Sequence, residues 1–407
     1  MLKVFEVLFF LMGLFFSASV LSVNIMGIQM TAFTFLLMLT LLIKIVFELR
    51  IKIGKSEINT PIFWYYVLMC VSTALNMVLI KKEWVQDNIV FTISTIIGVF
   101  GYFACFSKEE KKKYFPQLLK GVKINCVIQM VWMYIQYFAF EYLSIPLNYR
   151  LGLAGSDRRL RIMDQLTGLT WERAELCVAF LVGILTFKNK MLKVLFAIAI
   201  ILTRSRTGII MLAIYFVFSI DYAKVKNAFK KLRLKEFVEI LFVVGFVVIF
   251  WETIMGYIQT TIIRFENISR EGSGAAHLAY YQRIPELLKK VPIINILLGY
   301  GPASSGYPYM LFYGKNMHKV WSVESAWLQA MWGTGIIGFC LYGSWFVNNV
   351  VYFVKKNKKV SAFFLTLLLG GVFYTVVPNW AMFFLMSLSA LSVDITDEVM
   401  LDKNINV

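Results

Sequence analysis

Apolar runs long enough to cross a lipid bilayer recur along this chain from end to end. A bilayer core is about 30 Å thick, so a spanning helix needs about 20 mostly apolar residues. Lipid offers no hydrogen-bond partner, so each run must satisfy its own backbone groups as a helix. We therefore predict an all-α polytopic membrane protein with about twelve transmembrane helices. The predicted spans cover residues 4–21, 27–47, 61–80, 89–106, 121–142, 174–187, 191–203, 207–220, 237–255, 326–353, 361–377 and 380–395.

The composition agrees with a membrane protein and argues against a nucleic-acid partner. Hydrophobic residues make up 59% of the 407 residues and charged residues 16%, so residues 1–407 are predicted to form a single integral membrane domain. The formal net charge is +17, but the lysines stand in short loops beside apolar runs. Lysines at such positions keep loops in the cytoplasm and meet anionic headgroups. Membrane lipids, and not nucleic acid, are the predicted partners.

Lysine and arginine are separated between the two sides of the predicted membrane domain. With both termini inside, the cytoplasmic loops hold most lysines, including Lys111–Lys113 and Lys355–Lys359, whereas ten of the twelve arginines fall outside. Two predicted outer loops are long, residues 143–173 and residues 256–325, and long loops are usually functional. The planar guanidinium group of arginine binds phosphate through two donors at once. The outward arginines therefore predict a phosphate-bearing substrate at the outer surface.

Metal and disulfide chemistry have little support in the sequence. The five cysteines lie in or at apolar runs, and none is spaced as a disulfide framework or a metal site. His277 and His318 cannot by themselves build a metal site. We predict no metal and no cofactor. The outward carboxylates that a cation could still use are Asp157 and Asp164.

The first of three polar elements is the turn between two predicted spans, Leu202–Gly208. It sets Arg204 and Arg206 among hydroxyl side chains. A charge at the end of a span can simply extend to the interface. Lysine would serve that purpose, and this chain uses lysine freely elsewhere, so two arginines favour an anion-binding role.

The other two elements belong to the large outer loop. Arg283 lies on an amphipathic helix predicted over Ala275–Lys290, which Pro285 should kink or restart. Its alternative role is an ordinary solvated helix face. Glu324 stands at the mouth of the span that begins at residue 326, and an ionisable group near lipid is a candidate functional residue. Its alternative role is a structural ion pair with an arginine of the same face.

These elements, in this order, resemble the O-antigen ligase and polysaccharide polymerase superfamily of bacterial membrane proteins. That superfamily has a Thr-x-Ser-Arg-Gly-like signature, an Arg-x-x-x-Leu motif in a large outer loop, a Gly-x-Gly-Pro-like turn and a polar residue ahead of a helix. One departure is Thr207, which stands between Arg206 and Gly208. The matching segments are Gly168–Ala174, Thr203–Gly208, Arg283–Leu287, Gly299–Pro302 and Glu324–Gly335.

The resemblance implies a GT-C-like fold and a metal-independent glycosyltransferase of the bacterial cytoplasmic membrane, with its active site facing outside. Its implied substrate is undecaprenyl-diphosphate-linked oligosaccharide for capsule, exopolysaccharide or O-antigen. A chain-length regulator and a flippase are the implied protein partners. The ligases carry a histidine at the position of Glu324, so glutamate favours a Wzy-type polymerase. A ligase that transfers finished glycan, and a flippase or other transporter, stay open as alternatives.

The resemblance also suggests roles for individual residues. Arg206 and Arg283 would stabilise charge on the departing diphosphate. Glu324 would take the proton of the attacking sugar hydroxyl. Tyr281 could stack on a sugar or belong to the core. The predicted substrate-binding residues are Arg158, Arg161, Arg173, Arg204, Tyr281 and His318.

Overall fold

The computed structural model describes most of the chain, and nearly all of that part is helical. It covers residues 2–25, 28–48, 59–79, 99, 101–151, 166–219, 278–313, 323–374 and 379–390, with single residues between 241 and 263. The two strands are β1 (Ser22–Ile25) and β2 (Ile28–Thr31). The helices are α1 (Leu2–Leu14), α2 (Ala32–Glu48), α3 (Thr60–Leu79), α4 (Gly101–Cys105), α5 (Lys108–Leu143), α6 (Leu147–Arg150), α7 (Arg173–Thr186), α8 (Lys190–Leu202), α9 (Arg206–Ser219), α10 (Ile284–Lys290), α11 (Ile293–Leu298), α12 (Tyr307–Tyr313), α13 (Ala326–Val354), α14 (Lys358–Phe373) and α15 (Asn379–Ala390).

Several of these helices have the length and composition of membrane spans. Within the described residues, three are long and apolar enough to cross a bilayer, namely Thr60–Leu79, Glu109–Leu143 and Ala326–Val354. Shorter apolar helices include much of α2, α9 and α15. Twelve crossings stay a prediction, because the predicted spans 89–106 and 237–255 lie largely outside the described part of the chain.

A β-hairpin replaces the predicted start of the second span. The strands β1 and β2 pair antiparallel, with Ser22 opposite Thr31 and Val23 opposite Met30. The first span was therefore predicted too long, since α1 ends at Leu14, and α2 begins at Ala32 and not at residue 27. Apolar and polar residues alternate in both strands, which is the period of a strand. Hydropathy averaged over a helix-length window hides that alternation.

The core joins the N-terminal helix to the longest helix of the described part. The helices α1 and α5 approach closely where Gly13 meets Gly121, and a Cβ at Gly13 would lie 2.2 Å from the Leu118 carbonyl oxygen. Small residues permit such close approach of membrane helices. The side chain of Phe9 stacks on Tyr114 at 5.1 Å between ring centroids. This packing joins α1 to the first half of α5.

The helix α13 is broken and doubles back on itself, which corrects the predicted single span 326–353. Gly335 has φ 70° and ψ −175°, outside the helical region. The ring centroid of Trp327 lies 5.0 Å from that of Phe339, although twelve residues of straight helix would separate them by about 18 Å. Residues 326–334 therefore fold against residues 336–354, and only the second part has the length to cross the membrane.

Gly335 should tolerate no side chain. Its backbone conformation is adopted essentially by glycine alone, and a Cβ there would lie 2.1 Å from the Leu297 carbonyl oxygen. We expect Gly335→Ala to destabilise the protein by about 1–3 kcal/mol, measured as a lower melting temperature in detergent. Gly333→Ala is the matched control, since its Cβ would meet its nearest atom at 3.4 Å. Equal melting of the two variants would contradict this account of the break.

Candidate functional site

The candidate site lies at the end of the bundle where α7 and α9 begin and α8 and α14 end. Glu172 is the N-cap residue of α7, and Arg173 is its first residue. The guanidinium of Arg173 donates from Nη1 to the carbonyl oxygen of Thr203 at 3.3 Å. The Thr203 hydroxyl oxygen also lies 3.3 Å from Cys177 Sγ. These contacts join the segment 168–174 to the turn 203–208.

The turn between α8 and α9 is held by its own hydroxyl groups. The Thr203 hydroxyl accepts from the Ser205 backbone amide at 3.3 Å, and the Ser205 hydroxyl accepts from the Gly208 amide at 3.1 Å. Arg204 has a positive φ of 56°, an uncommon conformation for a residue with a side chain. Arg206 then opens α9. The turn thus presents Arg204 and Arg206 in succession at the site end.

Arg204 has an ion-pair partner on the neighbouring helix. Its Nη2 lies 2.8 Å from Oε1 of Glu141 near the end of α5, and both side chains are partly exposed. Exposed pairs of this kind contribute little to stability. The pair holds the Arg204 side chain toward α5.

Tyr374 connects Glu324 to the start of α7. The carboxylates of Glu172, Glu324 and Glu175 all lie within electrostatic reach of its hydroxyl. Its carbonyl oxygen accepts from the Ala326 amide at 3.4 Å. The end of α14 therefore places Glu324 beside the segment that carries Glu172 and Arg173.

The helical segment 278–290 brings Arg283 within electrostatic reach of a residue that Glu324 also influences, Tyr280. Burial raises the pKa of the Tyr280 phenol, the Glu324 carboxylate raises it further, and the Arg283 guanidinium opposes the rise. Glu324 and Arg283 thus act on the same phenol. Arg283 stands at the junction predicted at Pro285: it is the N-cap of α10, and Pro285 lies in the first turn. The predicted restart of the helix at this proline is confirmed.

Aromatic and acidic neighbours fix the Arg283 side chain. Its guanidinium carbon lies 4.4 Å from the centroid of the Tyr313 ring, which is cation–π geometry. The Tyr313 hydroxyl donates to Glu286, and Lys290 pairs with the other oxygen of that carboxylate at 2.5 Å. Hydrogen bonds from Lys290 and Tyr313 lower the pKa of Glu286. Arg283 is therefore presented by an ordered cluster.

The Tyr281 hydroxyl ties this helical segment to the segment that carries Glu324. It donates to the carbonyl oxygen of Val372 at 2.5 Å and lies 2.8 Å from Ser325 Oγ. Ser325 in turn caps α13, since its hydroxyl accepts from the Leu328 amide at 3.3 Å. The residues two before Arg283 and one after Glu324 are thus in direct contact. The structure places Tyr281 as a connector, and its predicted sugar contact stays a prediction.

The structure brings part of the predicted set together. Glu324 and Arg283 are both within electrostatic reach of Tyr280, and Tyr281 contacts Ser325, whereas Arg173 contacts the turn that carries Arg206. The predicted substrate-binding residues outside the described part of the chain are Arg158, Arg161 and His318.

Sequence reasoning missed Glu172 and Tyr374 as neighbours of Glu324. Glu172 does belong to the segment 168–174 that resembles a family element, but Tyr374 gives no sequence signal beyond its place at the end of an apolar run. Among the described residues, no group of three or more His, Cys, Asp or Glu side chains could hold a metal ion. Asp157 and Asp164 lie outside that part, so the absence of a metal stays a prediction.

One comparison with known proteins bears on this end of the molecule. Residues 191–343 match a family model described as O-antigen ligase. That stretch includes the turn 203–208, the helical segment with Tyr281 and Arg283, Glu324, and the broken helix up to residue 343. Arg173 and Glu172 lie ahead of it. No curated protein matches the chain.

Proposed function

We propose that this membrane protein is a polysaccharide polymerase, on the basis that residues 191–343 match a family model described as O-antigen ligase. It joins repeat units linked to undecaprenyl diphosphate on the outer face of the bacterial cytoplasmic membrane. The observation that supports the proposal is the contact between Tyr281 and Ser325, which brings the segment of Arg283 against the segment of Glu324, with both charged groups within electrostatic reach of Tyr280.

The proposed chemistry is displacement at an anomeric carbon. A hydroxyl of the acceptor sugar attacks that carbon, the bond to the lipid diphosphate breaks, and the diphosphate leaves with the bonding electron pair. Glu324 takes the hydroxyl proton as general base. Arg283 and Arg206 stabilise the negative charge that grows on the diphosphate oxygens. Arg173 and Arg204 bind the same anionic group, and Arg158, Arg161 and His318 complete the substrate contacts.

Helix lengths support a site that is recessed below the membrane surface. The helices α7, α8, α9 and α14 contain 13–16 residues, which is about 20–24 Å of helix, shorter than the roughly 30 Å of a bilayer core. With the lysines at their opposite ends held at the cytoplasmic boundary, the site ends of these helices stop below the outer boundary. Charged groups inside a membrane protein usually line such polar cavities. A recess lets a lipid-anchored diphosphate reach Arg206 without leaving the bilayer.

The orientation can be tested by cysteine labelling from outside. We expect single cysteines at Ser156 and Ser273, in a cysteine-free background, to react with a membrane-impermeant maleimide in intact cells, because most lysines lie in the loops predicted to be cytoplasmic. A cysteine at Lys224, in a predicted cytoplasmic loop, is the control and should react only after lysis. Protection of both outer positions until lysis would reverse the topology.

The Tyr281 hydroxyl should affect the transfer rate by holding the segments of Arg283 and Glu324 in position. Tyr281→Phe keeps the ring and removes the contacts with Val372 and Ser325, each hydrogen bond being worth about 0.5–1.5 kcal/mol. We expect the rate of transfer to fall by roughly tenfold, about 1.4 kcal/mol, with KM nearly unchanged. Tyr142→Phe, at an exposed ring, is the control. A rise in KM with kcat preserved would instead support the sugar-contact role.

Lipid-linked glycans in a deletion strain test the proposed function. Loss of a polymerase leaves single repeat units on the lipid carrier, and complementation with the intact chain should restore long chains. Accumulation of full-length lipid-linked chains would identify a ligase. Repeat units confined to the inner leaflet would identify a flippase, and either result would overturn the polymerase proposal.

A further inference from the structure

The short helix α11 has its polar and apolar sides reversed relative to a helix that lies in water. Its one polar residue, Asn295, is buried and donates to Asn76 Oδ1 at 3.1 Å and to the Gly299 carbonyl oxygen at 3.0 Å. Three of its five apolar residues are exposed, Ile293 by 70% and Ile294 and Leu297 by about 40%, whereas Ile296 packs against the protein. A water-facing amphipathic helix has the opposite arrangement.

The position of α11 along α13 gives its depth. The Leu297 carbonyl oxygen lies directly against Gly335, where α13 turns back. From there residues 336–354 run to Lys355 and Lys356, and nineteen residues of helix are about 28 Å long. That length is close to the thickness of a bilayer core. With those lysines at one boundary of the hydrocarbon layer, α11 lies at the other boundary.

The exposed side chains of α11 continue two apolar surfaces that belong to membrane helices. Beside Asn76, the end of α3 exposes Val78 by 85% and Leu79 by 57%. Beyond the break, α13 exposes Ile336 and Ile337. Because α11 packs on both helices, its exposed apolar side chains lie near theirs.

Protein groups satisfy the backbone that leaves α11. Irregular backbone is tolerated there only where protein satisfies its polar groups. The Gly299 amide donates to the Asn295 carbonyl oxygen at 2.9 Å, and the Gly299 carbonyl oxygen also accepts from Asn76 at 3.1 Å. The next two amides, of Tyr300 and Gly301, donate to the Trp332 and Gly333 carbonyl oxygens at 2.7 and 2.8 Å. Pro292, at the start of the helix, has no amide proton to satisfy.

We propose that α11 is inserted into the leaflet on the site side of the membrane, with Ile293, Ile294 and Leu297 against lipid acyl chains. The predicted outer loop 256–325 thus contains a segment that returns to the bilayer. Lipid is the occupant that continues the surfaces of α3 and α13 without interruption. This proposal needs only a membrane and does not depend on the polymerase reaction.

Nitroxide labels on the intact protein test the proposal. The two exposed cysteines, Cys70 and Cys340, are replaced by alanine, and labels are attached at Ile293→Cys and, separately, at Leu297→Cys. The protein is reconstituted into vesicles of phosphatidylethanolamine and phosphatidylglycerol. Collision rates with oxygen, which concentrates in lipid, and with a water-soluble nickel chelate are measured by power-saturation electron paramagnetic resonance.

Two further labelled variants calibrate the measurement. Lys289→Cys lies on α10 at an exposed position of the same loop, and Val351→Cys lies on the exposed apolar side of α13. We expect the ratio of oxygen to nickel collisions at residues 293 and 297 to be several-fold higher than at residue 289 and to approach that at residue 351. If the label at Leu297 disturbs packing near Gly335, seen as a lower melting temperature, the more exposed Ile293 decides alone.

Two outcomes would overturn the proposal. A ratio at residue 293 equal to that at residue 289 would mean that α11 faces water. Low collision rates with both reagents would mean that protein, such as a second copy of the chain, covers the face in place of lipid.

Discussion

Replacing Glu324 by glutamine is expected to reduce the rate of repeat-unit transfer by roughly 100-fold or more, the scale of a lost general base. The amide keeps the size and hydrogen-bonding reach of the carboxylate but cannot take a proton. Insertion and folding should be preserved, because Glu324 is exposed and a neutral amide near lipid costs no more than a charge. The measurement is in vitro polymerisation of lipid-linked repeat units, read beside a thermal melt.

The melt separates catalysis from structure at this position. If Glu324 serves as a structural ion-pair partner, Glu324→Gln should lower the melting temperature along with the rate. Glu109→Gln is the control, at an exposed carboxylate at the end of α5 that is distant from Glu141. It should change neither the melting temperature nor the rate. Normal polymerisation by Glu324→Gln would remove this residue from the mechanism and leave the arginines as the supported part of the site.

Replacing Arg283 by lysine is expected to reduce transfer by about 100- to 1,000-fold, typical of one lost transition-state contact. Lysine keeps the positive charge and can still lie over the Tyr313 ring, whose centroid is 4.4 Å from the Arg283 guanidinium carbon. It lacks the planar pair of donors that fits two phosphate oxygens at once. The loss should therefore appear in kcat, with the melting temperature preserved.

A second arginine makes this test specific. Arg150→Lys, at the exposed end of α6, makes the same chemical change away from the cluster and should polymerise normally. Arg283→Lys with normal chain length at normal protein level would show that a point charge suffices, and the bidentate role of Arg283 would be wrong. Chain length and initial rate should be measured together, since a slow enzyme can still reach long chains.

Hydropathy predicted where most helices lie, because apolar runs report which residues leave water. The third predicted span, 61–80, differs from α3 by one residue at each end. Pro285 was also read correctly, because its missing amide proton suits only the first turn of a helix. The order of the polar elements was enough to indicate the family that the comparison supports.

Hydropathy could not predict the path of the chain. The apolar run 326–353 is as hydrophobic when it doubles back at Gly335 as when it crosses once, and only the Gly333-Thr334-Gly335 sequence signals a break. The connector between Tyr281 and Ser325 joins residues 44 positions apart, and no local pattern encodes such a contact. The neighbours of Glu324 depend likewise on how α7 and α14 pack, which a single sequence does not specify.

The backbone pairing of Tyr300 and Gly301 with Trp332 and Gly333 has a consequence for biogenesis. At translation rates of 5–20 residues per second, the 32 residues that separate Gly301 from Gly333 take roughly 2–6 s to synthesise. During that interval the amides of Tyr300 and Gly301 lack their final acceptors, so water must solvate them and this segment cannot yet settle into lipid. Membrane integration of α11 is therefore a late step, completed only after the ribosome has passed the first part of α13.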